Sequence, residues 1–413
     1  MQRRLQPASG AASEPTIPLV RLVLRAACLT LLLLAGLTAS AAAAPVLVFD
    51  HGRVTREQDP FLPAQAGPVL TRPPAPTARL ASTQSVRIVL RHLLQRGQID
   101  QSSYDDLSKD YDDALFIRAQ LSGTPRRELT SIINTLNSFA ARGLLTTSRL
   151  SVLWLQLNRN TEWWGLSARV PDAGERIVFR GSRVIWQYFP GQGLQFHPLA
   201  NWGRAEALIR YGYASQAQEF IGELLPLGAN RGGALVWEYY FRFGGGTPPW
   251  TSGLSQGTAL ITLAASARLM GDPNSLDAAR RALTLYQLRT PTGVRVRRPA
   301  GAYYAEYSFA PRLRIINGFI QALNGLWDMR GLDPRADQLF ASGDSEARRE
   351  LPYYDTGRWS RYDNTGALSP LNYHVLLRDF LRGLCQRSHI AIYCSKAAKF
   401  TRYLRRGPPR GVG

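Results

Sequence analysis

Apolar residues recur at helical spacing along most of the chain. Val86, Val89, Leu90, Leu93 and Leu94 form one stripe, and Ala114, Leu115, Ile117 and Leu121 a second. Leu129, Ile132, Ile133, Leu136, Phe139 and Ala140 make a third, Gly143 stands as a stop, and residues 150–157 give a fourth. The texture changes at Pro171. Residues 175–179 and 184–189 alternate apolar and polar around Arg180-Gly181-Ser182-Arg183, the pattern of a hairpin. Helical segments then come in pairs: 199–211 with 216–225, and 254–270 with 276–288. A segment at 314–329 follows, and finally 371–384 with 391–404. Between them lie short aromatic, extended pieces at 235–243, 303–309 and 351–354. This succession predicts a mainly α fold, an α/α toroid built as an incomplete barrel of helical hairpins. Short strands and a hairpin would lie near a cleft lined by loops gathered at one end. The alternative is an irregular helical domain beside a small sheet. No repeat is close enough in sequence to predict a solenoid.

The chain's ends and charge add to this picture. Arg3, Arg4, Arg21 and Arg25 precede an apolar run at 26–37, and small residues fill 38–44. That order predicts an export signal over residues 1–44, cut among 41–44, or else an uncleaved anchor. Residues 45–83 are rich in proline without apolar periodicity and are expected to be a linker. The expected organisation continues with an N-terminal helical part at 84–170, a catalytic domain at 171–406 and a tail at 407–413. Export leaves Cys385 and Cys394, which read equally as a disulfide or as two buried thiols. Net charge is +20, and of 50 basic residues only Lys109, Lys396 and Lys399 are lysines. A GC-rich coding bias explains such a balance as well as a polyanionic partner does. There is no long basic run, helix-turn-helix or zinc-finger pattern, so nucleic acid is not expected as a partner. His51, His92 and His389 lack ligand spacing, so neither a catalytic metal nor another cofactor is expected.

Candidate chemistry concentrates in four blocks. The first is 191–198, leading to Asn201-Trp202-Gly203. The second is the glycine run 244–246 with Trp250, Ser252, Gln256 and Gly257, which lacks the Lys-Ser/Thr of a phosphate loop. The third is Glu306-Tyr307, then Pro311, Asn317-Gly318-Phe319, Leu323 and Gly325-Leu326-Trp327-Asp328. The fourth runs from Tyr354-Asp355-Thr356-Gly357 through Tyr362-Asp363 to Tyr373-His374. In this order the four blocks, the first more loosely, resemble the C-terminal domain of the D-glucuronyl C5-epimerases, which invert glucuronic to iduronic acid within heparan-type polymers. The similarity covers roughly residues 175–385. Two features depart from the family. Residues 84–160 read as helical where animal members carry a β-rich, calcium-binding module, and Thr365 stands where the family has an arginine.

The resemblance implies a cofactor-free C5-epimerase acting on D-glucuronic acid within an acidic, uronic-acid polysaccharide. Such a reaction removes a proton beside a carboxylate, so the site needs donors or cations on that carboxylate and acid–base groups on opposite faces of the sugar. Glu306 and Tyr373 are implied as the opposed pair, with Tyr307 and Tyr362 supporting proton transfer. Arg358, Arg361 and Arg314 are candidates to replace the missing arginine. Trp250, Gln256, His374 and Asn317 are candidate substrate contacts, and His197 a structural or cleft residue. Trp163, Trp164, Trp186, Trp202 and Trp250 are candidates for sugar stacking, at least half of them expected in the core. Rival expectations are a polyuronate lyase, which shares the first step, and a non-catalytic glycan-binding envelope protein. Secretion or envelope association is expected, with membrane contact only through the anchor, and a homodimer remains open.

Overall fold

The structure, a computed structural model, describes residues 44–62 and 84–412. The expected signal, up to residue 43, and residues 63–83 of the expected linker lie outside the described residues. The first part of that linker is not a tether. Strands β1 (Ala44–Asp50) and β2 (Arg53–Asp59) form a hairpin, and β1 also pairs in parallel with β3 (Arg176–Phe179), Leu47 lying opposite Ile177. The physical reason is the run Val46–Leu47–Val48–Phe49, buried on both faces of the sheet as only a short, continuous apolar segment can be. Its two described prolines, Pro45 near the start of β1 and Pro60 just past β2, sit at strand ends, where a missing N–H is tolerated. With β4 (Trp186–Phe189) and β5 (Gly193–Phe196) the sheet has the order β2-β1-β3-β4-β5.

Four helices separate β2 from β3: α1 (Val86–Gln95), α2 (Gln101–Gln120), α3 (Gly123–Ala141) and α4 (Thr147–Leu166). Ser85 and Asp100 cap α1 and α2, accepting from the amides of Ile88 and Ser103. On α3 the stripe Leu129, Ile132, Ile133, Leu136, Phe139 and Ala140 is buried as its spacing requires. Glu128, also buried, accepts from the Tyr188 hydroxyl and from the amides of Gly191 and Gly193 at 2.8–2.9 Å. A helical carboxylate thereby fixes the β4–β5 turn.

The rest is four helical hairpins: α5 (Pro198–Arg210) with α6 (Ala214–Leu224), α7 (Gly253–Leu269) with α8 (Pro273–Leu283), α9 (Ile316–Asp328) with α10 (Arg335–Glu350), and α11 (Leu371–Ser388) with α12 (Ala391–Arg406). First members pack in succession, α5 on α7, α7 on α9 and α9 on α11, and each second member backs its own partner. The fold is therefore mainly helical with small sheets. α7 and α9 approach closely because both present glycine: a Cβ on Gly257 would lie 2.8 Å from the Gln321 carbonyl, and one on Gly325 would collide with Gly257. Helix α10 is absent from the apolar pattern because charged Asp344, Glu346 and Glu350 share its buried face, although Ala336, Leu339, Phe340, Gly343 and Ala347 still form a buried stripe. Residues 351–354, expected to be extended, form a 3-10 turn (Leu351–Tyr354) that continues α10. Two further hairpins, β6 (Ala229–Arg231) with β7 (Ala234–Val236) and β8 (Arg295–Arg298) with β9 (Gly301–Tyr304), lie in the connections. Cys385 and Cys394 are joined in a disulfide between α11 and α12. Among the described residues no helix is long and apolar enough to cross a membrane.

Candidate functional site

A cleft opens where three connections meet the sheet. Its sheet side is Gln187 and Phe189 on β4, with His197 just beyond β5. Its aromatic side is Tyr239, Phe241, Phe243 and Trp250, and its far end holds Glu306, Tyr307 and Tyr373. Tyr239, Phe241 and Phe243 face the cleft because extended backbone sends alternate side chains to one face. Their rings interlock: Phe189 stacks on Phe241 at 4.1 Å, and Tyr239 on Trp250 at 4.1 Å. The Trp250 indole donates to the Phe241 carbonyl at 2.7 Å, which fixes its plane. Tyr307 stacks on Phe309 and meets Trp250 edge-on. Such flat, apolar faces with few polar tips suit the CH faces of a sugar ring.

Glu306 lies just past β9, in backbone pinned on both sides of it. The Gly253 amide donates to the Ala305 carbonyl at 3.0 Å, and the Ser308 amide to the Thr251 carbonyl at 2.9 Å. Its carboxyl meets the first turn of α9, where Gly318 leaves it room: a Cβ there would lie 2.7 Å from Oε2. Burial pushes Glu306 up to about 7, against the pull of the Tyr307 hydroxyl and the Gly318 amide, and Oε2 has no partner within hydrogen-bond geometry among the described residues. Tyr307 interacts electrostatically with Glu306, Tyr362 and Tyr373, and Tyr362 and Tyr373 with each other and with Glu306. The Tyr362 and Tyr373 rings meet edge-on at 4.9 Å. Burial first, then the Glu306 charge, raises all three phenols above their ordinary value. The four residues expected to handle protons are therefore brought together in one buried cluster.

Two backbone anchors hold the cluster's far end. The Ile316 amide donates to the Tyr362 carbonyl at 3.3 Å, and the Asn317 side chain to the Tyr373 carbonyl at 3.2 Å. Both tie neighbouring segments to the start of α9. Asn317 is thus a buried brace beside the site, and not the substrate contact expected of it. Asp355 anchors the loop that carries Tyr362. Its Oδ2 meets Lys396 at 2.7 Å and Lys399 at 2.9 Å, and its Oδ1 accepts from Tyr403 and from the Gly357 amide at 2.9 Å each.

Several expected contacts do not line the cleft. Gln256 is buried against the Leu235 carbonyl, at 2.8 Å. His374 is fully buried, stacked on Trp359 at 3.7 Å, with Nδ1 on the Ser360 hydroxyl and Nε2 facing the Phe400 carbonyl. Burial lowers it to about 4, so it is a neutral core residue. Arg314 pairs with Glu350 at 3.1 Å, Arg361 stacks over Tyr353 at 4.4 Å, and Arg358 is exposed. No lysine or arginine lines the cleft among the described residues. Thr365 turns its hydroxyl to Asp363 at 2.6 Å. Of the tryptophans, Trp163, Trp164, Trp186 and Trp202 are core, and Trp250 lines the cleft. Gln187, Phe189, Tyr239, Phe241 and Phe243 were not singled out by the sequence, although the period-two aromatic run at 239–243 carried the signal. Among the described residues no group of three or more His, Cys, Asp or Glu is placed to hold a metal ion.

Residues 231–402 match the family profile described as D-glucuronyl C5-epimerase C-terminus. Over this segment the chain is similar to the D-glucuronyl C5-epimerase family. The segment holds Trp250, Glu306, Tyr307, Tyr362 and Tyr373, and leaves the sheet side of the cleft outside it. A D-glucuronyl C5-epimerase of Caenorhabditis elegans is 29% identical over 131 residues, 28% of this chain and 21% of that protein. An uncharacterised protein of Methanocaldococcus jannaschii is 28% identical over 168 residues, 38% of this chain and 54% of that one. The chain thus spans about a fifth and about half the length of these two relatives. A solved D-mannose isomerase aligns over 70% of this chain and 77% of its own, at 11% identity and a TM-score of 0.35, too distant to support any inference.

Proposed function

We propose that the chain is a C5-epimerase that inverts D-glucuronic acid residues within an acidic polysaccharide, on an incomplete α/α toroid of four helical hairpins. The observation that carries this reading is the buried Glu306 carboxyl, raised to about 7 and clustered with Tyr307, Tyr362 and Tyr373. A base poised near the working pH takes a carbon-bound proton most efficiently. Glu306, when ionised, removes the C5 proton, and the electron pair moves into the sugar's carboxylate. The Tyr373 hydroxyl returns a proton to the opposite face of C5. The proton on Glu306 then passes back through Tyr307 and Tyr362 to Tyr373, so the site is reset without a co-reactant. The raised phenols support this assignment, since each is protonated at rest and able to donate. The basic surface favours a polyanionic substrate, and the N-terminal pattern favours export to it.

The test is solvent deuterium exchange at C5 over a panel of polyuronates, heparosan-like chains included. Exchange without chain cleavage is expected. No exchange on any of them would sink the reading, and unsaturated, ultraviolet-absorbing sugar ends would transfer it to a lyase.

A further inference from the structure

Helices that close a ring normally present apolar residues inward. The inward faces of α5, α7, α9 and α11 instead place Glu206, Thr258, Gln321, Asn324 and Asp379 around a cavity of about 430 Å³. That is the size of a small-molecule site, roughly 300–1,000 Å³. Leu199 and Leu254 line both this cavity and the cleft, so it lies directly behind the cleft. Its polar wall is ordered from two backbone carbonyls. The Thr258 hydroxyl donates to the Leu254 carbonyl at 3.1 Å and accepts from the Gln321 amide at 3.1 Å. The Asn324 amide donates to Gln321 Oε1 at 3.2 Å and to the Phe380 carbonyl at 3.1 Å, so its oxygen and nitrogen cannot be exchanged. Asn324 Oδ1 is left without a hydrogen-bond partner among the described residues, in a residue only 2% exposed. Gly383 on α11 keeps the space beside it open, since a Cβ there would lie 3.6 Å from Oδ1. Glu206 on α5 has no hydrogen bond or ion-pair contact among the described residues. Burial raises its carboxyl above the ordinary value, against the pull of Arg210 and Arg387.

Both unmet groups are acceptors, and an acceptor requires a donor. A carboxylate or phosphate ligand would be repelled by them. An ammonium would satisfy them, but Arg176, Arg210 and Arg387 line the same cavity and oppose a further cation. Arg176 is lowered by burial to about 10 and is still charged at neutral pH. Neutral hydroxyls answer both conditions. The half-buried Phe380 ring in the same wall, with Leu376 and Ile261, offers the apolar surface that the CH face of a pyranose needs. We propose that this cavity is a second carbohydrate site, taking a neutral, hydroxyl-rich sugar distinct from the reacting uronate. Its hydroxyls donate to Asn324 Oδ1 and to the Glu206 carboxyl, which accepts in either protonation state, and its CH face rests on Phe380. A polysaccharide engaged here as well as in the cleft is held at two places, which raises the effective concentration of its uronates at Glu306.

This inference goes beyond the epimerase reading and does not depend on it, because its readout is binding. Calorimetric titration of the full chain uses two neutral probes, cellotetraose and a carboxyl-reduced heparosan-like tetrasaccharide, with spermidine as the cationic control. The variants are Glu206→Leu, Glu206→Gln, Gly383→Ala and, in the cleft, Trp250→Leu. Melting curves establish that each is folded. Gly383→Ala lies within α11, where alanine favours the helix, and Glu206→Leu removes a carboxyl that burial disfavours, so neither is expected to melt below wild type. Wild type is expected to bind at least one of the tetrasaccharides. Glu206→Leu and Gly383→Ala should each weaken that binding about tenfold, and Glu206→Gln, which keeps an acceptor, by less than about threefold. Trp250→Leu should leave it unchanged. The site is overturned if neither tetrasaccharide binds, or if spermidine binds and the sugars do not. It is equally overturned if Trp250→Leu abolishes binding that Glu206→Leu and Gly383→Ala retain, which would return the sugar to the cleft. C5 exchange by wild type is followed separately, so either reading can fail by itself.

Discussion

Glu306 sits where burial and local polarity pull in opposite directions. The first turn of α9 and the Tyr307 hydroxyl favour its charge, and removal from water disfavours it more, leaving the carboxyl near 7 instead of near 4.5. A carboxyl raised by folding stabilises the fold while it stays protonated, and that contribution is lost as pH rises through the folded value. Glu306→Gln should therefore gain melting temperature over wild type between about pH 4.5 and 7, with a constant advantage above. The same variant should lose about a thousandfold or more of any C5 exchange. Parallel melting curves and exchange rates check both; a pH-independent stability difference would place the carboxyl in water. The sequence offered Glu306 and Tyr307 as neighbours on an extended run, and Tyr362 and Tyr373 in recognisable motifs. It could not place Gln187, an ordinary polar residue in a strand whose significance comes from the tertiary wall it joins.

The start of α9 is the element on which the site is assembled. Its Gly318 admits Glu306, Ile316 holds the Tyr362 segment, and Asn317 holds the first turn of α11. The loop bearing Tyr362 has its second attachment at Asp355. Burial pushes this carboxyl up, but Lys396, Lys399, the Gly357 amide and Tyr403 outweigh it and hold it well below the ordinary carboxylate range. A depressed carboxyl contributes stability that is present above its ordinary value and lost as pH falls toward the folded one. Asp355→Asn should melt below wild type at neutral pH, with the gap closing below about pH 4. Its kcat for C5 exchange should fall about tenfold if the loop positions Tyr362. An unchanged kcat in a folded variant would mean that the loop is held elsewhere. Helical elements with an apolar stripe were legible from spacing alone. α10 was not, because charged Asp344, Glu346 and Glu350 interrupt its buried face, and β1 was lost because Pro45 opens a stretch of sequence rich in proline.

The molecule's core runs continuously from Leu47 to Tyr403 and is not interrupted where an N-terminal part was expected to end. Trp237 packs against Trp202 of α5 at 4.5 Å, and the fully buried Glu238 is paired with Arg149 of α4 at 2.7 Å and Arg231 at 2.8 Å. The segment 231–402 keeps Trp237 and Glu238 but lacks Trp202 and Arg149. Removing one partner of a buried ion pair costs about 3–5 kcal/mol, before the exposed apolar surface is added. Residues 231–402 expressed alone should show no cooperative thermal transition, whereas the chain containing 44–412 should; circular dichroism melts distinguish the two. Helical pairing was readable along the chain. What closes the cleft was not, since the sheet gathers strands separated by more than a hundred residues and their partnership has no local signal.

The scarcity of lysine gives the Asp355 attachment a chemical address. Lys109 is well exposed on α2, while Lys396 and Lys399 both serve one carboxylate. An amine-acylating reagent consequently meets one innocuous side chain and two that fasten the Tyr362 loop. Acylation of the latter pair removes both cations and leaves Asp355 sequestered with only neutral donors. Immobilising or labelling this protein through its amines is thus a choice about its tyrosine cluster.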